Sequence, residues 1–352
     1  MSMVSEILKY VTMEEGQTEM TLTDYGGVNK HVVDFVATAD AEAIHLAMQQ
    51  KGVDSDRIVN ILTDRSNGQR HHIGEAYQRS YGKDLPSALK AALSGKMETA
   101  MLGLLKTPAE FDADELKWSV KGAGTCEDTL NEILVSRSND ELKEIMKVYK
   151  SVYKTDLQKD IESDTSGQYR NMLVALIQAN RDESKAVDDH KAAQDIQVLM
   201  ETVSQKKPDV GKFIEVFSTR SLPHLRKVIV GYNRSSSMDM DATLQKVMTG
   251  DVRNGFKALV SYIKSPTGFF ADKLYASLKD GAKERVLTRV MVTRCEVDML
   301  DIRKEFKKRF GKSLYNYIAS KTKGEDKSQD LPERQLFSPP VLPGPETTEQ
   351  PR

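Results

Sequence analysis

The turn Lys121-Gly122-Ala123-Gly124-Thr125 is the stretch of this chain best suited to gathering oxygen atoms around a cation. Glycine reaches backbone conformations that other residues avoid, so such a turn can aim several carbonyl oxygens at one point. A hard divalent ion such as Ca²⁺ takes about six to eight oxygens, and one carboxylate would complete the set and supply charge. Residues suited to covalent chemistry are not arranged for it. His71 and His72 are adjacent, so on a helix they face different ways and cannot share a metal as an i, i+4 pair would. His224, Cys126 and Cys295 have no sequence neighbours that suggest a nucleophile–base pair, and no phosphate-cradling G-x-x-x-x-G-K run occurs. The residue types therefore point to binding, with no catalytic site and no small-molecule substrate.

Bulk charge selects no partner. The 352 residues are 29% charged with a formal net charge of −1, so attraction to lipid or nucleic acid would come from local patches. Two cysteines are too few for a disulfide framework, which predicts a reducing, cytoplasmic setting. The first residues lack a basic start followed by an apolar core, so no secretory signal is expected. No apolar run approaches the roughly 18 residues of a membrane span. Any contact with a membrane is expected from the water side.

Self-similarity organises the chain. ILTDRSN from Ile61 recurs as ILVSRSN from Ile133, VFSTRSL from Val216 and VMVTRCE from Val290. The shared arginines Arg65, Arg137, Arg220 and Arg294 lie 72, 83 and 74 residues apart. Each is followed by a second matching segment, AYQRSYGKDL from Ala76, VYKSVYKTDL from Val148, GYNRSSSMDM from Gly231 and EFKKRFGKSL from Glu305. Four ordered matches make a tandem array.

Within a unit the apolar period is helical. Ala43, Ala47 and Met48 share a face, as do Ile58, Ile61 and Leu62, then Ile73, Ala76, Tyr77 and Tyr81. Shorter segments follow with Leu85, Ala88, Leu89 and Leu93, and with Met97, Met101, Leu102, Leu104 and Leu105. That predicts an all-α chain of four repeats, about five short helices in each, broken by Gly, Pro and small polar residues. Helices so short need their neighbours to hold them.

Repeats of this length with R-S-N and Y-G-K-D-L elements resemble the annexin family over about residues 34–323. The wording IVNILTDRSN, LLKTPAEFDADELK, DTSG and EVDMLDIRKEF is similar to family members that carry an EF-hand light chain. The resemblance implies a curved disc with its calcium loops on the convex side. It divides the chain into an arm (1–33), repeats at 34–106, 107–179, 192–264 and 265–323, a linker at 180–191, and a Pro-rich, disordered tail at 324–352. The fourth repeat is expected to be truncated, because Glu325–Asp330 show no apolar period where a last helix belongs.

The family calcium pattern is K-G-x-G-T separated by 38 residues from Asp or Glu, and the second repeat matches it with Asp164. By this resemblance, the carbonyls of Val120, Gly122 and Gly124 and the carboxylate of Asp164 hold the ion. Open positions remain for water or a lipid phosphate oxygen. The first repeat matches in part: aligned on Lys51-Gly52, its second glycine becomes Asp54, and Ala92 stands at the acid position. A shallower site there would use carbonyls near Gly52 and Val53, or Glu98 with carbonyls around Leu93. The third repeat has Pro208 in its loop and Val247 for the acid; the fourth has one residue fewer and Lys321 for the acid. Neither is expected to bind calcium.

The implied function is calcium-dependent binding to acidic phospholipid, peripheral on the inner face of the plasma membrane and on vesicle or endosome membranes. In the arm, Val4, Ile7, Leu8 and Val11 form a narrow apolar stripe that suits helix-in-groove docking. It is similar to the family segment that inserts into an EF-hand light-chain dimer to give a heterotetramer; folding back on its own core is the alternative. Tyr25 matches a family tyrosine-phosphorylation position. Trp118, close to Val120, reads as a headgroup-level residue or as helix packing. Lys304, Lys307, Lys308, Arg309 and Lys312 read first as a solvated helix face and second as an RNA contact. The competing functional reading is a calcium-independent protein scaffold derived from an annexin.

Overall fold

Helices account for all the regular structure in residues 35–121, 124–279 and 283–322, which are those described by the computed structural model. Among these described residues there are 19 helices and no strand. The first repeat folds as α1 (Ala37–Gln49), α2 (Ser55–Asp64), α3 (Asn67–Tyr81), α4 (Leu85–Ala92) and α5 (Gly95–Leu105). The second follows as α6 (Pro108–Ser119), α7 (Glu127–Ser136), α8 (Asn139–Tyr153), α9 (Leu157–Asp164) and α10 (Gly167–Ile177). The third is α11 (Asp189–Ser204), α12 (Val210–Thr219), α13 (Leu222–Ser235), α14 (Met240–Val247) and α15 (Gly250–Lys264). The fourth has α16 (Pro266–Lys279), α17 (Glu284–Arg294), α18 (Met299–Phe310) and α19 (Leu314–Thr322). The expected loss of its fifth helix, the tail, and the arm with Val4, Ile7, Leu8, Val11 and Tyr25 lie outside the described residues.

The recurring R-S-N element is explained by two local tasks. Its serine caps the third helix of the unit: Ser66, Ser138 and Ser221 each accept a backbone N–H one turn on, and the first two close reciprocal boxes with Gln69 and Glu141. Its arginine clamps an aspartate 25 residues earlier. Arg65 grips Asp40 at 2.6 and 3.1 Å, Arg137 grips Asp112 at 2.6 and 2.9 Å, and Arg220 grips Asp195 at 2.8 and 3.0 Å. Each clamp ties the first helix of a repeat to the end of its second by a fork-to-fork pair. In the fourth repeat Phe269 stands where the aspartate would be and Cys295 where the serine would be. There Arg294 turns to Asp298 at 2.8 Å and lies over the Phe270 ring at 4.6 Å.

The repeats do not pack merely in a row. Helix α5 of the first meets α17 of the fourth, and α7 and α10 of the second meet α12 and α15 of the third. Buried charge joins the second repeat to the fourth. Arg289 on α17, wholly buried, bonds both oxygens of Glu132 on α7 at 2.9 Å and Glu115 on α6 at 3.0 Å. Lys273 adds Asp128 at 2.7 Å and Glu132 at 3.4 Å. Neither cysteine forms a disulfide; Cys126 is partly exposed and Cys295 buried.

These pairs set an acid limit on stability. Burial pushes the Glu132 carboxyl up, but Arg289, Lys273 and Arg137 outweigh it and hold it below the usual carboxylate range. Asp195 is likewise lowered, with Arg220 and His224 overcoming its burial. A folded pKa below the unfolded one contributes stability that is complete above about pH 4–5 and is lost as the pH falls through the folded value. The urea midpoint should therefore hold near neutrality and fall steeply below about pH 4.

Candidate calcium site

In the second repeat α6 stops at Ser119, and Val120 leaves the helix with its N–H still bonded to the Leu116 carbonyl at 3.3 Å. Residues 120–126 carry the chain to α7, and the Cys126 N–H returns to the Ser119 carbonyl at 2.8 Å, closing the loop on itself. Gly124 sits at φ +140°, with nothing near a would-be Cβ, so conformation and not space requires glycine there. Gly122 and Ala123 lie outside the described residues.

Asp164 is the last residue of α9 and is half-buried. The Thr125 hydroxyl lies 2.6 Å from its carboxylate Oδ2 and 3.1 Å from its main-chain oxygen. A carboxylate distant in sequence is thus held against the end of the glycine loop. Helices α6 and α9 both end here, and the last carbonyls of a helix lack intrahelical partners and carry partial negative charge. Among the described residues no three His, Cys, Asp or Glu side chains gather. A cation here would draw on main-chain oxygens and one carboxylate, a donor set suited to a hard ion with open positions. Of the expected ligands, Asp164 is held to Thr125, the neighbour of Gly124, and Val120 opens the same segment.

The first repeat shows a different loop correspondence from the one its letters suggest. The Asp54 N–H closes on the Ala47 carbonyl at 3.0 Å, as Cys126 does on Ser119, and both residues precede the second helix of their unit. Gly52, at φ +83°, is therefore the counterpart of Gly124, and Asp54 replaces Cys126 and not a glycine. The Asp54 carboxylate caps α2, accepting the Arg57 N–H at 3.1 Å. The Val53 carbonyl accepts the Ser55 N–H at 2.9 Å. Ala92 ends α4 just as Asp164 ends α9, and Glu98 sits in the first turn of α5. The acid position of this repeat holds no carboxylate.

Val247 ends α14 in the same way, so the third repeat has an apolar side chain at that position. In the fourth, the Lys283 N–H closes on Ser277 at 2.7 Å, one residue shorter than the second-repeat loop. There the Lys321 ammonium lies 3.5 Å from the Lys279 carbonyl. A fixed positive charge occupies the place of a ligand and repels a divalent ion. Trp118 is 43% exposed and carries the Arg285 guanidinium 3.8 Å from its ring centre. That cross-repeat stack had no signal in the repeat pattern, nor did the buried cluster around Arg289.

An annexin family model matches residues 39–104, 111–176, 194–259 and 269–328, the fourth match being the shortest and running past Lys323. Annexin A1 of Cavia cutleri is 43% identical over 334 residues, covering 92% of this chain and 96% of that relative. A solved annexin III structure is 42% identical, covers 85% of this chain and 94% of its own, and superposes with a TM-score of 0.83. A calcium-bound annexin (Sm)1 structure is 27% identical with a TM-score of 0.76, covering 86% of this chain and 91% of its own. Four ordered matches over most of the chain, together with that level of identity, establish that it belongs to the annexin family.

Proposed function

We propose that this annexin docks reversibly on membranes rich in phosphatidylserine or phosphoinositide through a Ca²⁺ ion held in its second repeat. Annexins generally bind phospholipid in a calcium-dependent way, and no described helix is long and apolar enough to cross a membrane. The ion would be held by the carbonyls of Val120, Gly122 and Gly124 and the carboxylate of Asp164, leaving sites for water or a lipid phosphate oxygen. The observation that carries this reading is the contact of Thr125 with Asp164, which keeps the carboxylate on the loop. The first repeat would add only a shallower ion, through Gly52 and Val53 or Glu98.

A single full site gives weak docking, and multivalency would remedy it. The stripe Val4, Ile7, Leu8 and Val11 supports recruitment of an EF-hand light-chain dimer, which would present two Asp164 sites to one membrane in a heterotetramer. Phosphorylation of Tyr25 would regulate that arm. The setting is the cytoplasmic face of the plasma membrane and of vesicle or endosome membranes. The test is sedimentation with phosphatidylserine vesicles across a calcium titration, with and without residues 1–14. Sedimentation that is the same in calcium and in chelator would instead favour the calcium-independent scaffold.

A further inference from the structure

Trp118 and Arg285 come from different repeats yet meet beside the candidate site. Trp118 is the penultimate residue of α6, two before Val120; Arg285 is the second residue of α17, two after Lys283. Their stacking places the end of α6 in the second repeat next to the start of α17 in the fourth. Glu115 lies one turn before Trp118 on α6 and grips Arg285 at 2.8 and 3.1 Å, so the guanidinium is held across both side chains. Glu115 is itself fixed from behind by Arg289 at 3.0 Å.

The resulting element is preorganised and open. The indole is 43% exposed and the Arg285 side chain 41% exposed, too much for a core contact. Lys121, Lys279, Lys283 and Lys321 are all exposed on or beside the two loops. An exposed indole stacked with one cation, in segments that carry further exposed lysines, complements a surface that is apolar beneath and anionic above. Trp favours that interfacial layer. Glu115 engages Nε and one Nη of Arg285, and the other N–H donors of the five on a guanidinium are left for a phosphate oxygen.

We propose that Trp118 and Arg285 form one membrane-contact element, the indole lodging at the headgroup level of an acidic phospholipid bilayer and the guanidinium meeting a lipid phosphate. This rests on the calcium-dependent docking proposed above and adds to the same face a second contact, made by side chains and not through the ion. Each surface cation near an anionic bilayer contributes about 1 kcal/mol, so Arg285→Gln should weaken vesicle binding roughly fivefold at fixed calcium.

Trp118 is the single tryptophan of the chain, so its emission reports this contact alone. The experiment uses the full chain and phosphatidylserine vesicles brominated on the upper acyl chain, with sedimentation measured in parallel. Expected are quenching and a shift to shorter wavelength that need Ca²⁺ and reverse with chelator, and weaker binding of Arg285→Gln at an unchanged melting temperature. Vesicle-bound protein with unquenched emission overturns the inference alone, as does an Arg285→Gln variant that binds like the parent; quenching that is equal in chelator overturns the calcium-dependent docking on which it rests. Failure to sediment at any calcium level overturns the docking reading and this inference together.

Discussion

Asp164→Ala will bind phosphatidylserine vesicles only at calcium concentrations on the order of a hundredfold above those the parent needs, if it binds at all. The carboxylate is the one full negative charge the second-repeat loop can offer, and ligand charge sets calcium affinity over several decades. Removing it leaves main-chain dipoles alone, as Ala92 and Val247 already do at the ends of α4 and α14. Thr125→Val separates charge from positioning. It keeps the carboxylate but deletes the hydroxyl 2.6 Å from it, worth about 1 kcal/mol or roughly a fivefold shift. Vesicle sedimentation against free calcium reads both. An Asp164→Ala curve that overlays the parent would remove the second repeat from the mechanism.

Arg289→Met should cost about 3–5 kcal/mol of folding stability, the largest effect expected of any single side chain in the ionic cluster. Its guanidinium is wholly buried and satisfies both oxygens of an equally buried Glu132. With the arginine gone, Glu132 keeps the longer contact to Lys273 at 3.4 Å and the more distant charge of Arg137, while Glu115 still has Arg285. Arg289→Met combined with Glu132→Leu should recover most of the loss, because two apolar chains of similar size replace the pair without leaving a buried charge. Urea titrations of both variants decide it. Equal destabilisation by the single and double variants would mean that packing at the junction, and not charge, dominates.

Much of the array was legible because helical period and spacing are local properties. The apolar faces of α2 and α3 hold Ile58, Leu62, Ile73, Ala76 and Tyr77 in the core as their spacing implies. On α1 the face turns toward Ala41, Ile44 and Ala47, leaving Ala43 half-buried. The acid position was also legible, since Ala92, Asp164 and Val247 each end the fourth helix of their unit. The first-repeat loop misled because Lys51-Gly52 copies the letters of Lys121-Gly122, whereas the 72-residue arginine spacing pairs Gly52 with Gly124. Backbone closure, not letter identity, fixes that register. The clamp aspartates Asp40, Asp112 and Asp195 are poorly marked in the sequence, because only Asp40-Ala41-Glu42 and Asp112-Ala113-Asp114 resemble each other and Asp195-Ile196-Gln197 does not. Arg285 on Trp118 and Arg289 on Glu132 join repeats far apart in the chain, and only folding brings them together.

The meeting of α5 with α17 has a consequence for how the molecule comes apart. In an open solenoid each unit touches only its sequence neighbours, the terminal units need polar caps, and unfolding can spread inward from an end. Here the first unit is seated on the last, and Arg70 of α3 reaches Glu296 at 2.5 Å across that junction. Among the described residues, the first and fourth repeats brace each other against fraying. Deleting a whole terminal unit strips the opposite end of its partner, so such a fragment exposes apolar surface in two places at once.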